Sequence, residues 1–315
     1  MGEAMNEIDI ARHSLLIDPQ LHIWGWEIPV YLFLGGMAAG VMVLTSLLVA
    51  RKGERSPVGC WLGFAAPVLV TVGMAALFFD LAFKLHAWRF YLAFRWTSPM
   101  SWGAWILVAV YPASLALALA SLGDGQAERL AIHLRRFGLA EPMRRFRDFA
   151  RVHLAGLRWT NLGLGIALGV YTGILLSTLG ARALWSSPVL GPLFLTSGLS
   201  TGAAFLMLFR LSEEERHFLA FWDKVAMGLE VALLLLFLLG LSTGGAEGQR
   251  GAALLLGGPW TAPFWSLVVI AGLAMPLLLE TLKSRLHLRT ATMAPLLVLV
   301  GGFALRWIMV AAGQA

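Results

Sequence analysis

Cysteine is all but missing from this chain. Cys60 stands alone, which excludes an internal disulfide, a cysteine-ligated zinc site and a cysteine-ligated iron–sulfur cluster built from this chain. Charge is scarce as well, at 13% of residues against 58% hydrophobic. A soluble domain is excluded by that balance. The net charge of +6 comes from bases gathered in loops rather than interleaved with aromatics along a groove, so no nucleic-acid partner is expected. Residues 1–26 are polar and lack the basic start, apolar core and small-residue cleavage site of a signal peptide. The first apolar run is therefore expected to direct insertion.

What is abundant is long apolar sequence. Eight runs of membrane-spanning length are predicted near 28–50, 58–80, 101–122, 160–182, 188–211, 225–243, 262–282 and 291–312. An even number places both termini on one side. The loops on one side of the membrane hold 17 of the 24 Lys and Arg residues. By the positive-inside rule that side is cytoplasmic, and both termini and the 83–100 loop are expected to be extracytoplasmic. Residues 1–27 then form an extracytoplasmic N-terminal segment. A division of the spans into 28–186 and 187–315 is plausible, with the cytoplasmic loop 123–158 in the first part. That loop mixes Arg135, Arg136, Arg144, Arg145, Arg147 and Arg151 with Glu141 and Asp148. It reads as a short amphipathic helix resting on anionic membrane lipid.

Glycines recur at four-residue spacing: Gly36 and Gly40, then Gly165, Gly169 and Gly173, then Gly198 and Gly202. Such stripes let helix backbones approach closely. Leu34–Gly40 faintly resembles Ser197–Ala203, a hint of internal duplication that carries no further argument.

Haem is excluded by position. Axial histidines must lie at similar depth on facing spans. His13, His22 and His86 lie outside the apolar runs on one side, and His133, His153, His217 and His287 fall in or beside loops on the other.

Polar chemistry concentrates elsewhere. Phe79–Trp105 places Asp80, Lys84, His86, Arg89, Arg95 and four tryptophans between two apolar runs, a composition suited to a membrane boundary. Glu27 and Tyr31 share a helix face by their spacing, and the same spacing separates Asp80 from Lys84. Together they would edge a cavity for a lipophilic molecule whose oxygens gain and lose protons, and quinone fits. The alternative is that Asp80 and Lys84 form a headgroup-level ion pair and Glu27 is solvated. Deeper polar groups are Tyr111, Tyr171, Glu230, Glu280 and Arg306. Glu230 and Arg306 read equally as a structural pair or as part of a proton route.

Four segments then carry a resemblance: WGWEIPVYLFLGGMAAG at Trp24–Gly40, Asp80 with TSPMSWGAW at Thr97–Trp105, YTGILLSTLGARALWSSPVLGPLFLTSGLSTGAA at Tyr171–Ala204, and GGFALRWIMVAAGQ ending at Gln314. In order and across nearly the whole chain, they resemble NrfD-type proteins. These are the membrane subunits of polysulfide reductase, of the nitrite-reductase quinol dehydrogenase system and of related complexes. The resemblance implies an all-α integral membrane protein with eight transmembrane helices in two four-helix bundles. It implies no haem, a quinone site near the outer face of the first bundle, and a ferredoxin-like iron–sulfur partner. Through that partner, electrons would reach a catalytic reductase or dehydrogenase, or a cytochrome c.

Carried over by residue, Tyr171 of the YTG motif matches a tyrosine associated with quinone binding in polysulfide reductase. Tyr31 and Ile28 fall where that protein has a histidine and an asparagine in contact with quinone. Glu27 stands in for those groups, because the W-x-W-E-x-P pattern is closer to the nitrite-reductase branch. The expected roles are therefore proton handling for Glu27 and Asp80, charge balance for Lys84, and cofactor contact for Tyr31, Tyr171, Trp102 and His86. His86 and Arg89 are also expected to shape the docking surface. No metal site is expected. The quinone is menaquinone or ubiquinone, and the location a bacterial cytoplasmic membrane. A secondary transporter, with broken helices around a midplane site, and a non-redox membrane scaffold are the rival classes. The charge bias is checked by reporter fusion: alkaline phosphatase attached after Ala315 is expected to be active, and activity only of a cytoplasmic reporter there would invert the orientation.

Overall fold

The structure, a computed structural model, describes residues 24–52, 61–81, 83–92, 94–178, 182, 184–286 and 292–314. Cys60, His13, His22, His287, Arg55 and Arg289 lie outside the described residues, as does most of the 1–27 segment. The described residues form helices and no strand. Eight helices are long and apolar enough to cross a membrane: Glu27–Arg51, Leu62–Asp80, Pro99–Ala120, Leu154–Ser177, Leu190–Met207, Glu213–Ser242, Thr261–Thr281 and Met293–Gly313. The protein is thus a multi-pass membrane protein, and these are spans one to eight below.

Two boundaries differ from expectation. The fourth span starts at Leu154 rather than near 160, and the sixth at Glu213 rather than near 225. At the sixth, Ser212 Oγ accepts from the Glu215 backbone N–H at 3.4 Å, while Glu215 Oε2 accepts from the Ser212 N–H at 3.0 Å. This reciprocal cap starts the helix in charged sequence, about three turns before the start expected from hydrophobicity.

Loop 123–158 also holds more than the single short helix expected. Helices Asp124–Arg135 and Ala140–Val152 form a hairpin, turned at Gly138, whose φ of 70° suits glycine. Two arginines clamp the hairpin to the end of span three. Arg147 Nη2 donates to Leu122 O at 2.8 Å and to Asp124 Oδ1 at 2.6 Å, and Arg151 reaches the same two acceptors at 3.1 and 3.0 Å. Leu122 O follows the last turn of span three, where a carbonyl has no helical partner of its own. The two guanidinium groups also hold the Asp124 carboxyl below its ordinary value near 3.8. Its contribution to the clamp is full above that value and disappears only as pH falls through the lower folded one.

Span one is the hub of the packing, in contact with spans two, four, five and eight, and span five touches spans one, four, six and eight. The glycine stripes explain how. A Cβ on Gly40 would strike the Gly198 backbone, and one on Gly202 would meet Val41 N at 2.7 Å. Spans one and five therefore touch backbone to backbone. Gly173 of span four is set against Leu190 and Gly191 in the same way.

Arg306 of span eight fills the remaining space and is the largest fully buried side chain. Its Nη1 donates to Ser197 Oγ at 2.6 Å and Gly302 O at 2.9 Å, and its Nη2 to Phe194 O at 3.2 Å. A Cβ on Gly36 would lie 3.0 Å from Nη2, so a larger residue there would press on the guanidinium. Burying a cation is costly unless its donors are met. Here neutral oxygens of spans five and eight meet most of them.

The first and last spans also meet at one end of the molecule. Trp24 N donates to Gln314 Oε1 at 3.0 Å, Gln314 Nε2 donates to Trp24 O at 3.1 Å, and Trp24 stacks on Trp185 at 5.1 Å. We call this the tryptophan end and the opposite one the hairpin end.

Gly198→Ala is expected to destabilise the solubilised protein by about 1–3 kcal/mol, the usual cost of overpacking. Gly228→Ala is the matched control, since a Cβ there meets nothing within 4 Å. Equal thermal stability of the two variants would show that the close approach is not limiting.

Candidate functional site

At the tryptophan end, four residues singled out from the sequence come together. Glu27 opens span one, half-buried, with its carboxylate turned back against Gly25. Tyr31, one turn deeper, is buried, and its ring lies against Gly73 of span two. Tyr171 of span four is also buried and crosses to span three, where its ring occupies the space that a Gly103 side chain would take. The phenols of Tyr31, Tyr171 and Tyr91 are close enough to interact electrostatically. Among the described residues, neither the Tyr31 nor the Tyr171 hydroxyl makes a hydrogen bond. The rings are buried but neither oxygen is among the fully enclosed polar atoms that lack a partner, so the two hydroxyl tips are open to an oxygen of a bound molecule.

Asp80 closes span two and is within electrostatic reach of Glu27. Two carboxylates thus edge the tyrosine pair. Lys84 is not stacked over Asp80 as its spacing suggested. The helix stops at Asp80, and Leu81 is extended at φ −66°, ψ 122°, so helical neighbour geometry ends there. Lys84 is exposed, with Nζ 5.9 Å from the Phe79 ring centroid, and it makes no ion pair with Asp80. His86 is also exposed and meets Phe83 edge-on at 6.3 Å.

Trp102 stands beside the tyrosines rather than among them. Its Nε1 donates to Trp96 O at 2.8 Å, and its ring packs edge-on against Trp96 and Phe94 at 5.1 and 5.6 Å. The polar head is already used, which leaves the indole face.

Gly73, Gly103 and Tyr91 are the parts of this arrangement that periodicity did not reveal. The signal available was a lone glycine between Trp102 and Ala104 at the start of an otherwise bulky helix. Just below, Thr71 Oγ1 and Tyr111 OH share a hydrogen bond at 3.0 Å, joining spans two and three.

A second polar group lies within spans five to eight. Ser200 Oγ donates to Asp223 Oδ1 at 2.6 Å, the Asp223 and Glu280 carboxyl groups face each other, and Lys224 Nζ lies 3.9 Å from Glu280. Asp223 lies before the start near 225 that hydrophobicity predicts for the sixth span, and the earlier start at Glu213 brings it inside. Glu230 and Arg306 do not form a direct ion pair: Ser197 stands between them, close to both. Glu230, Ser197 and Thr201 line a small cavity against spans seven and eight. Among the described residues no group of three or more His, Cys, Asp or Glu is placed to hold a metal ion.

Eight helices long and apolar enough to cross a membrane define a polytopic membrane protein, with a tyrosine pair and two carboxylates gathered toward one end of its spans. The sequence matches the family described as polysulphide reductase, NrfD, over residues 15–315, and the chain belongs to that family. It is 31% identical over 310 residues to the C subunit of polysulfide reductase from Wolinella succinogenes, covering 93% of this chain and 94% of that one. It is 32% identical over 308 residues to protein NrfD of Escherichia coli, covering 93% and 95%. A third relative, the NrfD homolog of Haemophilus influenzae, is 27% identical over 316 residues.

Proposed function

We propose that this protein is the membrane subunit of a respiratory oxidoreductase of a bacterial cytoplasmic membrane. It binds menaquinone or ubiquinone at the tryptophan end of its first four spans and exchanges electrons with an iron–sulfur partner subunit. The observation that carries this reading is the pair of buried tyrosines, Tyr31 and Tyr171, whose hydroxyls lack partners while two carboxylates lie at their edge. Family membership and the names of the relatives, one a polysulfide reductase subunit and one an NrfD protein, support it.

Quinol, when bound, supplies two electrons and two protons on oxidation. Each residue then has a defined task. Tyr171 and Tyr31 donate hydrogen bonds to the ring oxygens and orient them. Glu27 and Asp80 take up protons at the boundary with water, where a carboxylate is hydrated enough to release them again. Lys84 offsets the two negative charges at longer range than a direct ion pair would. Trp102 offers an indole face beside the tyrosines, and exposed His86 and Arg89 face the docking partner. Electrons leave the chain altogether, since a single cysteine cannot ligate a cluster.

The packing supports a two-bundle arrangement. Spans one to four and five to eight each pack among themselves, joined through spans one, four, five and eight. With the charge bias, both termini face away from the cytoplasm, and so does the quinone site.

Quinol oxidation by the assembled complex tests the assignment. Tyr171→Phe loses one hydrogen bond, about 0.5–1.5 kcal/mol, and is expected to raise the quinol requirement up to roughly tenfold. Asp80→Asn and Glu27→Gln are expected to lower turnover by about 100-fold where proton transfer limits the rate. If all three keep parental turnover and quinol affinity while the iron–sulfur partner still co-purifies, the site lies elsewhere.

A further inference from the structure

The hairpin at the opposite end of the molecule has no part in the reading above. Residues 123–158 hold eight arginines against four acidic residues, and the structure sorts seven of those arginines into two sets. Arg147 and Arg151 are spent on the clamp to Leu122 O and Asp124. Arg144 is held by Glu128 at 2.8 Å. Arg135, Arg136 and Arg158 make no ion pair among the described residues, and Arg145 meets Glu141 only through Nε, at 3.5 Å, with its side chain 80% exposed.

Around the free arginines lies apolar surface that the fold leaves uncovered. The turn between the helices exposes Phe137 by 69% and also Leu139. Along helix Ala140–Val152, Arg145, Phe146, Phe149 and Val152 form one exposed strip, with Val152 82% exposed. The opposite side of the same helix buries Met143, Arg147 and Ala150.

The level of this helix is set by its packing. Ala150 is clustered with Ala116 and Ala120 of span three, and Ala116 lies one helical turn inside that span. The helix therefore lies along the membrane boundary. Trp159, at the start of span four and exposed, marks the same level.

We propose that the hairpin 124–152 is a docking surface for anionic phospholipid of the leaflet it borders. Phe137, Leu139, Phe146, Phe149 and Val152 enter the upper acyl region, and Arg135, Arg136 and Arg145 hold headgroup phosphates by paired N–H donors. The occupant is lipid rather than free phosphate, because free phosphate leaves the aromatic strip in water. The clamp gives the surface its function. By consuming Arg147 and Arg151, it fixes which face of the helix is turned to the lipid, and it couples lipid composition to the inner end of span three.

The test is hydrogen exchange on the purified full chain in nanodiscs of phosphatidylcholine alone and of phosphatidylcholine mixed with phosphatidylglycerol. Residues 135–152 are expected to exchange several-fold more slowly with the anionic lipid at low salt, and the difference to shrink at high salt. The variant Arg135→Gln/Arg136→Gln/Arg145→Gln is expected to lose that difference while exchange in the eight spans stays as in the parent. Equal exchange of the parent in the two lipids would overturn the proposal. So would protection that arises only when a partner protein is added, or a lipid-dependent difference retained in the variant.

Discussion

The contact on which the structure depends is the backbone-to-backbone approach of spans one and five, Gly36 and Gly40 against Gly198 and Gly202. In a bilayer, apolar side chains gain little by leaving lipid, so helices associate through close packing and polar contacts. Glycine supplies the closeness. It also leaves the cleft into which Arg306 reaches from span eight, where Ser197 Oγ and two backbone carbonyls accept its protons. One contact thus fixes three spans. Tyr31 lies on span one just over a turn from Gly36, so its depth and direction follow from the same contact.

The two polar regions differ in a way that separates their roles. The tyrosine pair sits at the end of the spans with open hydroxyls, and carboxylates at its edge can exchange protons with water. Asp223, Glu230, Glu280 and Arg306 are tied to serines, to each other and to backbone deep among spans five to eight. A lipophilic molecule carrying oxygens finds two open hydroxyls in the first region, whereas the unmet Nε of Arg306 in the second is fully enclosed by packed helices. In the second, the interactions already present offset much of the cost of burial.

Much of the fold was legible from hydrophobic runs, because span length and glycine spacing are local properties. Boundaries were less so. Hydropathy detects apolar residues and not caps, so Ser212 and Glu215 began the sixth span earlier than its first apolar turn, and Asp223 was left outside it. Loop 123–158 hid its hairpin for a related reason: the clamp pairs Arg147 and Arg151 with a carbonyl and an acid more than 20 residues away. At the candidate site, Glu27 and Tyr31 share a face as read, because the helix is continuous there. Asp80 and Lys84 do not meet, because the same spacing rule presupposes a helix that in fact stops at Asp80. Gly103 was invisible to any periodicity, since its meaning lies in the ring of Tyr171 on another span.

The central claim is that quinone binds among the first four spans at the tryptophan end. Photolabelling addresses it without relying on turnover. A photoreactive quinone analogue, irradiated with the purified complex and mapped by mass spectrometry, is expected to mark peptides containing Tyr31, Gly103 or Tyr171, with labelling suppressed by excess natural quinone. Label confined to spans five to eight, or insensitive to competing quinone, would contradict the account.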